Sequence, residues 1–242
     1  MASVNAVYST LKNLVNKDQK GFVTPAVFNS FAGLAQTNIY NRLFDDLNNT
    51  RRLRRQAFDA ERDKSLEKRI KEDLSVFAKN ATIEREAGFF AKPSNFSRAI
   101  SATTFGSIVL GQSTRTPIEM LYDEEKIERI LRSNLHTPTE DYPIALMSDD
   151  IEVYPQSINR IQLRYYKNPQ SKRASDGELS ANSPSYGYQT FGTTDVFDAQ
   201  NSYDFELPDH YVNDLVVEIA GMIGVNLRDS LVQGYAGMTA NR

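Results

Sequence analysis

The sequence contains no cysteine. Disulfides and thiolate metal sites are therefore excluded, and the chain fits synthesis in a reducing compartment. Histidine is nearly as scarce. His136 and His210 lie far apart, and neither has a second histidine at ligand spacing, so both read as surface or capping residues and no metal site is expected. Long apolar runs are missing too. The most apolar stretch, Leu215 to Leu227, is broken by Glu218 and Asn226, which makes it too short and too polar to cross a membrane. The opening MASVNAVYSTLKNLVNK has no basic region followed by an apolar block, so no secretory signal is expected. Net charge is −3, which gives no global attraction to nucleic acid. There is no internal repeat.

What remains is an ordinary globular composition. The 242 residues are 40% hydrophobic and 24% charged, enough for one large domain or two small ones with a real core. Val4, Val7, Tyr8, Leu11, Leu14 and Val15 recur at helical spacing, which predicts an amphipathic helix closing near Gly21. Thr24-Pro25 opens a second helix, the threonine capping free N–H groups and the proline tolerated at the first helical position. Its stripe is Phe28, Phe31, Leu34, Ala35, Ile39, Leu43, Phe44 and Leu47. No glycine or proline interrupts residues 34–87. The pattern predicts one long helix, or two joined near Asn48–Thr50 or Asp63–Ser65, with Leu66, Ile70, Leu74 and Phe77 as a further stripe.

The centre changes character. TTFGSIVLG, PIEMLY, IALM, DIEVYP and INRIQLRYY are short, β-rich and bounded by turn residues. Asp123 caps a helix expected to reach about Ser133. Residues 168–203 are polar and poor in aliphatics, and read as a long loop or extended arm, a feature usually functional or disordered beyond about 15 residues. Helix restarts at Pro208, with Leu215, Val216, Ile219, Ala220 and Ile223 inward, a break at Gly224 and a short last helix to about Gln233. The expected fold is α+β, with long N-terminal helices, a short-stranded β-rich centre with an extended polar arm, and a C-terminal helix pair. The expected regions are 1–102 helical, 103–167 β-rich with one helix, 168–203 the arm, and 204–242 C-terminal helices packing back on the N-terminal region.

Patterns for chemistry are thin. NKDQKGFVTPAV places Asn16, Asp18 and Gly21 at calcium-loop positions, but the twelfth position is Val27 where a bidentate glutamate is required. A helix–turn–helix junction explains it better. GMIGVNLRD lacks the Gly-Lys-Ser/Thr ending of a phosphate loop. Asp123, Glu124 and Glu125, with Asp149 and Asp150, read as solvated helix and turn acids. No catalytic residue, cofactor site or metal site is assigned. One charge cluster stands out: Arg51, Arg52, Arg54 and Arg55. At about 100° per residue, Arg51 and Arg55 share a helix face with Arg52 alongside. That face could contact DNA phosphates or an acidic neighbouring subunit, although charge runs are usually solvated faces. Tyr186, Tyr188 and Phe191 in the polar arm are candidate interface aromatics.

Three segments carry a resemblance. Asn16-Lys17, Gly21, Val23-Thr24-Pro25, Phe28-Asn29 and Ala35-Gln36 form the first; VYPQSINRIQLRYYKNP, residues 153–169, the second; FELPDHYVNDLVVEIAGMIGVNLRDSLVQGY, residues 205–235, the third. In that order they resemble ring-forming structural proteins of crAss-like tailed bacteriophages and their marine relatives. The family often has glutamate before the Phe-Asn pair, where this chain has Val27. The resemblance implies a virion protein of the head-to-tail connector: a homo-oligomeric ring, twelvefold in such proteins, touching the portal protein and adjacent tail ring proteins. Genomic DNA would pass through its lumen non-specifically, with no membrane involved. The alternatives are a tail-associated glycan-degrading enzyme and a DNA-binding accessory protein.

Overall fold

A computed structural model describes residues 1–17, 23–56, 60–105, 108–109, 112–113, 115–133, 136–169, 183–191 and 194–226. The elements run α1 (Val4–Lys17), α2 (Pro25–Gln56), α3 (Ala60–Leu74), a 3-10 turn (Ser75–Phe77), β1 (Ala78–Glu84), β2 (Phe96–Thr104), β3 (Ile108–Val109), β4 (Gln112–Ser113), β5 (Pro117–Leu121), α4 (Glu124–Arg132), β6 (Ile144–Met147), β7 (Ile151–Tyr154), β8 (Arg160–Lys167), β9 (Tyr188–Phe191), β10 (Thr194–Phe197), a second 3-10 turn (Asp209–Tyr211) and α5 (Val212–Asn226). The fold is α+β. The chain divides into two compact units: Met1–Val76 with Pro169–Arg242, and Phe77–Asn168.

The first unit is helical. Val4, Val7, Tyr8 and Leu11 of α1 are buried, while Leu14 is exposed, so the buried stripe ends a turn early. Thr24 caps α2: its Oγ1 accepts from the Val27 N–H at 3.3 Å. Phe28, Ala32, Ala35, Ile39, Leu43, Phe44 and Leu47 are buried on α2, but Leu34 faces out. α2 runs unbroken through Asn48–Thr50, and α3 runs through Asp63–Ser65, so neither expected joint is a joint. α2 ends at Gln56 and α3 begins at Ala60. Ile70 and Leu74 of α3 are buried, whereas Leu66 is exposed. α5 packs against α1 and α2, burying Leu215, Val216, Ile219, Ala220 and Ile223. It continues past Gly224 to Asn226, so Gly224 is no helix stop. The last helix expected to about Gln233 lies outside the described residues.

The second unit is a curled six-stranded sheet of order β1-β8-β2-β5-β6-β7. Every neighbouring pair is antiparallel except β5–β6, a parallel pair joined through α4. Parallel strands need such a crossover because their ends lie at opposite poles of the sheet. β8 alternates as expected, burying Ile161, Leu163 and Tyr165. These join Ala102, Ile118, Ala145, Ile151 and Val153 in one core. On the opposite face, Ile127 of α4 packs on Leu121, Ile144 and Leu146. Asp123 caps α4 as the sequence implies, accepting from the Glu125 N–H at 3.0 Å.

The principal departure concerns residues 78–102. They fall in the region expected to be helical, yet they carry β1 and all but the last two residues of β2. β1, AKNATIE, is half polar because one face is exposed and it is an edge strand. What fixes it as strand is its seven-residue antiparallel ladder to β8, Ala78↔Tyr166 through Glu84↔Arg160, a contact that local propensity does not report.

Candidate functional site

The polar segment expected to be an arm is, over the described residues 183–191 and 194–203, a folded hairpin rooted in the helical unit. β9 and β10 pair antiparallel from Tyr188↔Phe197 to Phe191↔Thr194, and Ser185 bridges to Tyr203 below them. Residues 170–182 lie outside the described residues. The root is a side-chain clamp. Asn29 Nδ2 donates to the Tyr186 carbonyl at 3.0 Å, and the Tyr186 N–H donates to Asn29 Oδ1 at 2.7 Å. One amide side chain thus satisfies both backbone groups of one residue, as a neighbouring strand would. The Tyr186 ring lies 4.2 Å from Tyr8 and 5.0 Å from Phe197, and Tyr8 sits edge-on to Phe28 at 5.2 Å.

A second amide clamp stands seven residues along α2, on the same helix face. Gln36 Oε1 accepts from the Glu206 N–H at 2.7 Å. The chain entering α1 is tied to the same strap. Asp204 Oδ1 accepts from the Val4 N–H at 2.8 Å, and the backbones of Ala2 and of Phe205 and Leu207 exchange hydrogen bonds. The Phe28-Asn29 and Ala35-Gln36 pairs therefore have a physical job: they hold the 185–207 strap against α2. Sequence reasoning picked these residues out through resemblance only. A polar amide recurring within an apolar helical stripe was the available signal.

Gly187 is required at the hairpin base. A Cβ there would stand 2.6 Å from the Asn201 backbone and 2.7 Å from the Asp198 carbonyl. Asp198 fastens the turn below β10, accepting from Gln189 Nε2 at 3.0 Å, Asn201 Nδ2 at 2.8 Å and the Gln200 N–H at 3.0 Å. The bond from Gln189, then that from Asn201, holds its carboxyl below the usual range.

The three candidate interface aromatics separate. Tyr186 is 7% exposed. It is the hairpin's anchor and not a surface for a partner. Burial raises its phenol, with Asp195 adding to the effect. Tyr188 is 39% and Phe191 64% exposed, joined by Val196 at 48%. These make an apolar surface near the far end of the hairpin, all four β9 residues being exposed.

The arginine cluster also separates. Arg51 Nε lies 3.3 Å from Glu67 Oε1, and Lys71 Nζ lies 2.7 Å from the same oxygen. Glu67 is buried on α3, so Arg51 is spent on pairing two helices of its own chain. Arg52 is exposed on α2. The side chains of Arg54 and Arg55 lie outside the described residues.

A groove of about 540 Å³ opens between α2, α3 and the start of α5. Asp46, Asp73, Asp214, Arg42 and Arg69 give it charge, and His210 also lines it. Asp73 is already engaged: Tyr211 Oη donates to its Oδ2 at 2.8 Å, and His210 Nε2 lies 3.3 Å from its Oδ1. Burial, then the hydrogen bond to Asp73, holds the Tyr211 phenol far above its ordinary value. Desolvation raises Asp46, against the pull of Arg42. Thr50, the hydroxyl lining the groove, donates to the Asp46 carbonyl one turn back and is not poised as a nucleophile. His136 lines a separate groove in the sheet unit. Among the described residues no three His, Asp or Glu side chains cluster as a metal site, and no helix is long and apolar enough to cross a membrane. A scan of protein-family models and a search of curated proteins find no match to this chain.

Proposed function

We propose that this protein is a structural virion component of a tailed bacteriophage, a subunit of a ring in the head-to-tail connector. The carrying observation is the rooted hairpin. A polar, glycine-containing segment is fixed at its base by Asn29, Tyr186 and Gly187 while Phe191, Val196 and Tyr188 remain in solvent. Fixing a hairpin costs conformational entropy, and an exposed aromatic tip on a fixed base suits docking to another subunit or ring. The resemblance of residues 16–36, 153–169 and 205–235 to connector ring proteins supports the same reading, since the first and third segments are those that build the hairpin's seat. In this role the protein is not an enzyme. It seals and extends the DNA channel after packaging and offers a docking surface to later tail proteins. Its partners are copies of itself, portal protein, adjacent ring proteins and, non-specifically, the DNA passing through.

The test is light scattering and negative-stain electron microscopy of the protein alone and with a portal complex. Rings, formed alone or only on portal, support the reading. A protein indifferent to portal and never annular overturns it. One observation favours a second reading: three carboxylates, Asp46, Asp73 and Asp214, line the groove of the helical unit, and Asp46 is raised, as a general acid would be. Release of reducing ends from bacterial surface glycans, abolished by Asp46→Asn, would establish that reading in place of the first.

A further inference from the structure

The two edges of the six-stranded sheet are treated differently. At the β7 edge, Phe90 exchanges both backbone hydrogen bonds with Ile151, and Arg85 Nη2 donates to the Val153 carbonyl at 2.8 Å. At the β1 edge, no backbone or side-chain group among the described residues pairs with the strand. Natural sheets blunt such an edge with proline, a bulge or a twist. β1 has no proline, and its register with β8 runs without a shift.

The ladder also shows which backbone groups are free. Arg85 extends the β1–β8 register by one residue, its N–H donating to the Asn159 carbonyl at 2.9 Å. Hydrogen-bonded and non-hydrogen-bonded pairs alternate in an antiparallel ladder. Ile83, Ala81 and Lys79 are therefore bonded to β8, and Asn80, Thr82 and Glu84 turn their N–H and C=O groups to the open edge. The side chains divide in the same alternation. Ala81 and Ile83 pack on the sheet core. Asn80, Thr82 and Glu84 are exposed on the other face, opposite Arg164, Gln162 and Arg160 of β8.

A row of outward N–H and C=O groups recognises one chemistry, an extended strand. β1 is complementary to itself in this sense. Laid antiparallel on β1 of a second copy, with a two-fold axis at Thr82, Asn80 faces Glu84, Thr82 faces Thr82 and Glu84 faces Asn80. Outward residues then meet outward residues, each pair exchanging two backbone hydrogen bonds. On one face an amide meets a carboxylate and two hydroxyls meet at the axis, both favourable cross-strand pairs. On the other, Ala81 meets the partly buried Ile83. Charge agrees. Glu84, 3.7 Å from its own Arg160, arrives in the same cross-strand row as Arg164 of the other copy, which is exposed and makes no ion pair among the described residues. Lys79 falls beyond the paired stretch. Arg85, which faces it there, is turned onto the Ile158, Gly88 and Val153 carbonyls. An axis at Ala81 instead would set Lys79 on Ile83 and Glu84 on Ala78, losing these pairs.

From this self-complementarity we propose that the open β1 edge docks β1 of a second copy of this chain, joining two six-stranded sheets edge to edge about a two-fold axis at Thr82. Such a contact is isologous and does not by itself close a ring. It is a second interface, additional to a ring contact, and does not rest on the ring reading. A five-residue edge buries less than the roughly 1,200–2,000 Å² of a stable interface, so the dimer is weak, with a dissociation constant on the order of 0.1 mM.

Sedimentation equilibrium of the full chain, taken to about tenfold above that concentration, tests it with two variants. Thr82→Lys and Thr82→Glu each set like charges across the axis while leaving every bond to β8 in place, and circular dichroism melting checks that each still folds. The unaltered protein is expected to dimerise, and each variant alone to do so about fivefold or more weakly. Mixed in equal amounts, the two variants are expected to pair with each other at least as well as wild type does, because position 82 meets itself only in this register. Amide exchange read by NMR needs no substitution. Asn80, Thr82 and Glu84 are expected to exchange fast in dilute protein and more slowly in concentrated protein, while Lys79, Ala81 and Ile83 stay protected throughout. A wild-type protein without this association, a Thr82→Lys variant that dimerises as wild type does, a mixture no stronger than its components, or exchange at Asn80, Thr82 and Glu84 that ignores concentration would each overturn the contact.

Discussion

The helical unit and the sheet unit tie distant stretches of chain together by different means. In the helical unit the ties to helical residues are single side chains, Asn29 to Tyr186, Gln36 to Glu206 and Asp204 to Val4, each joining residues more than a hundred positions apart, and backbone pairing is confined to Ala2, ahead of α1, with Phe205 and Leu207. In the sheet unit the ties are ladders, such as the unbroken seven-residue pairing of β1 with β8. The reason lies in the backbone. A helix spends its N–H and C=O groups on itself, so a non-helical strap laid against it has only side chains to bond. A strand spends its groups on its neighbour, so pairing and tertiary connection are one act. The helical unit therefore concentrates its long-range specificity in a few polar residues, and the sheet unit spreads it over many.

Removing core volume from the sheet unit should give the largest effect. Leu163 is fully buried between β1 and β2 partners Ala81 and Ala102, so Leu163→Ala is expected to cost about 2–5 kcal/mol. Urea denaturation would measure it, and hydrogen exchange should show protection falling across β1, β8 and β2 together. A loss confined to β8 would mean that the ladder is not one cooperative unit.

Asn29→Ala should cost less in total but act in one place. Both backbone groups of Tyr186 lose their partner, and an orphaned part-buried group costs about 1–3 kcal/mol. Hydrogen exchange is expected to rise over residues 185–203 while the interiors of α2 and α5 stay protected. Unchanged exchange in the hairpin would show that aromatic packing alone seats it, and the contrast between the two units would weaken.

How much of this the sequence revealed follows the same division. α1, the start of α2, α4, β8 and the inward face of α5 were legible because their burial pattern is periodic and their caps are local: Thr24 and Asp123 act within three residues. β1 and β2 were not, because AKNATIE is half polar and becomes a strand only by pairing with β8, some eighty residues on. The hairpin was hidden for a related reason. β9 buries nothing, so no alternation marks it, and its fixity comes from Asn29, which lies 157 positions away. Of the site residues, exposed Phe191 and Tyr188 were legible as surface aromatics. Tyr186 could not be told from them, since its burial comes from rings distant in the sequence or across the hairpin, Tyr8 and Phe197.

That seat should also respond to pH. Burial, then the neighbouring Tyr186, Asp195 and Tyr188, pushes the Tyr8 phenol up to about 12 from its ordinary 10.0. A pKa raised on folding means that the folded state prefers the neutral phenol. The stability this represents is fully present below pH 10 and is lost as pH rises from 10 towards 12. Tyr8→Phe removes the bond to the Val23 carbonyl at about 0.5–1.5 kcal/mol near neutral pH. It should also flatten the alkaline fall in melting temperature. An alkaline profile identical to wild type would place the titration elsewhere.

The smallest expected effect on stability is at the hairpin tip, and it separates fold from function. Phe191 is exposed and stands opposite Thr194 in the hairpin register, so Phe191→Ser should change unfolding free energy by less than about 0.5 kcal/mol, as surface substitutions do. Portal binding or ring assembly should nevertheless fall, because a docking aromatic contributes only when it is buried by the partner. The two measurements together discriminate. Weaker stability would mean that the tip packs within its own chain and is no docking surface. Unchanged stability with unchanged assembly would leave the hairpin as scaffolding and move the contact to another surface.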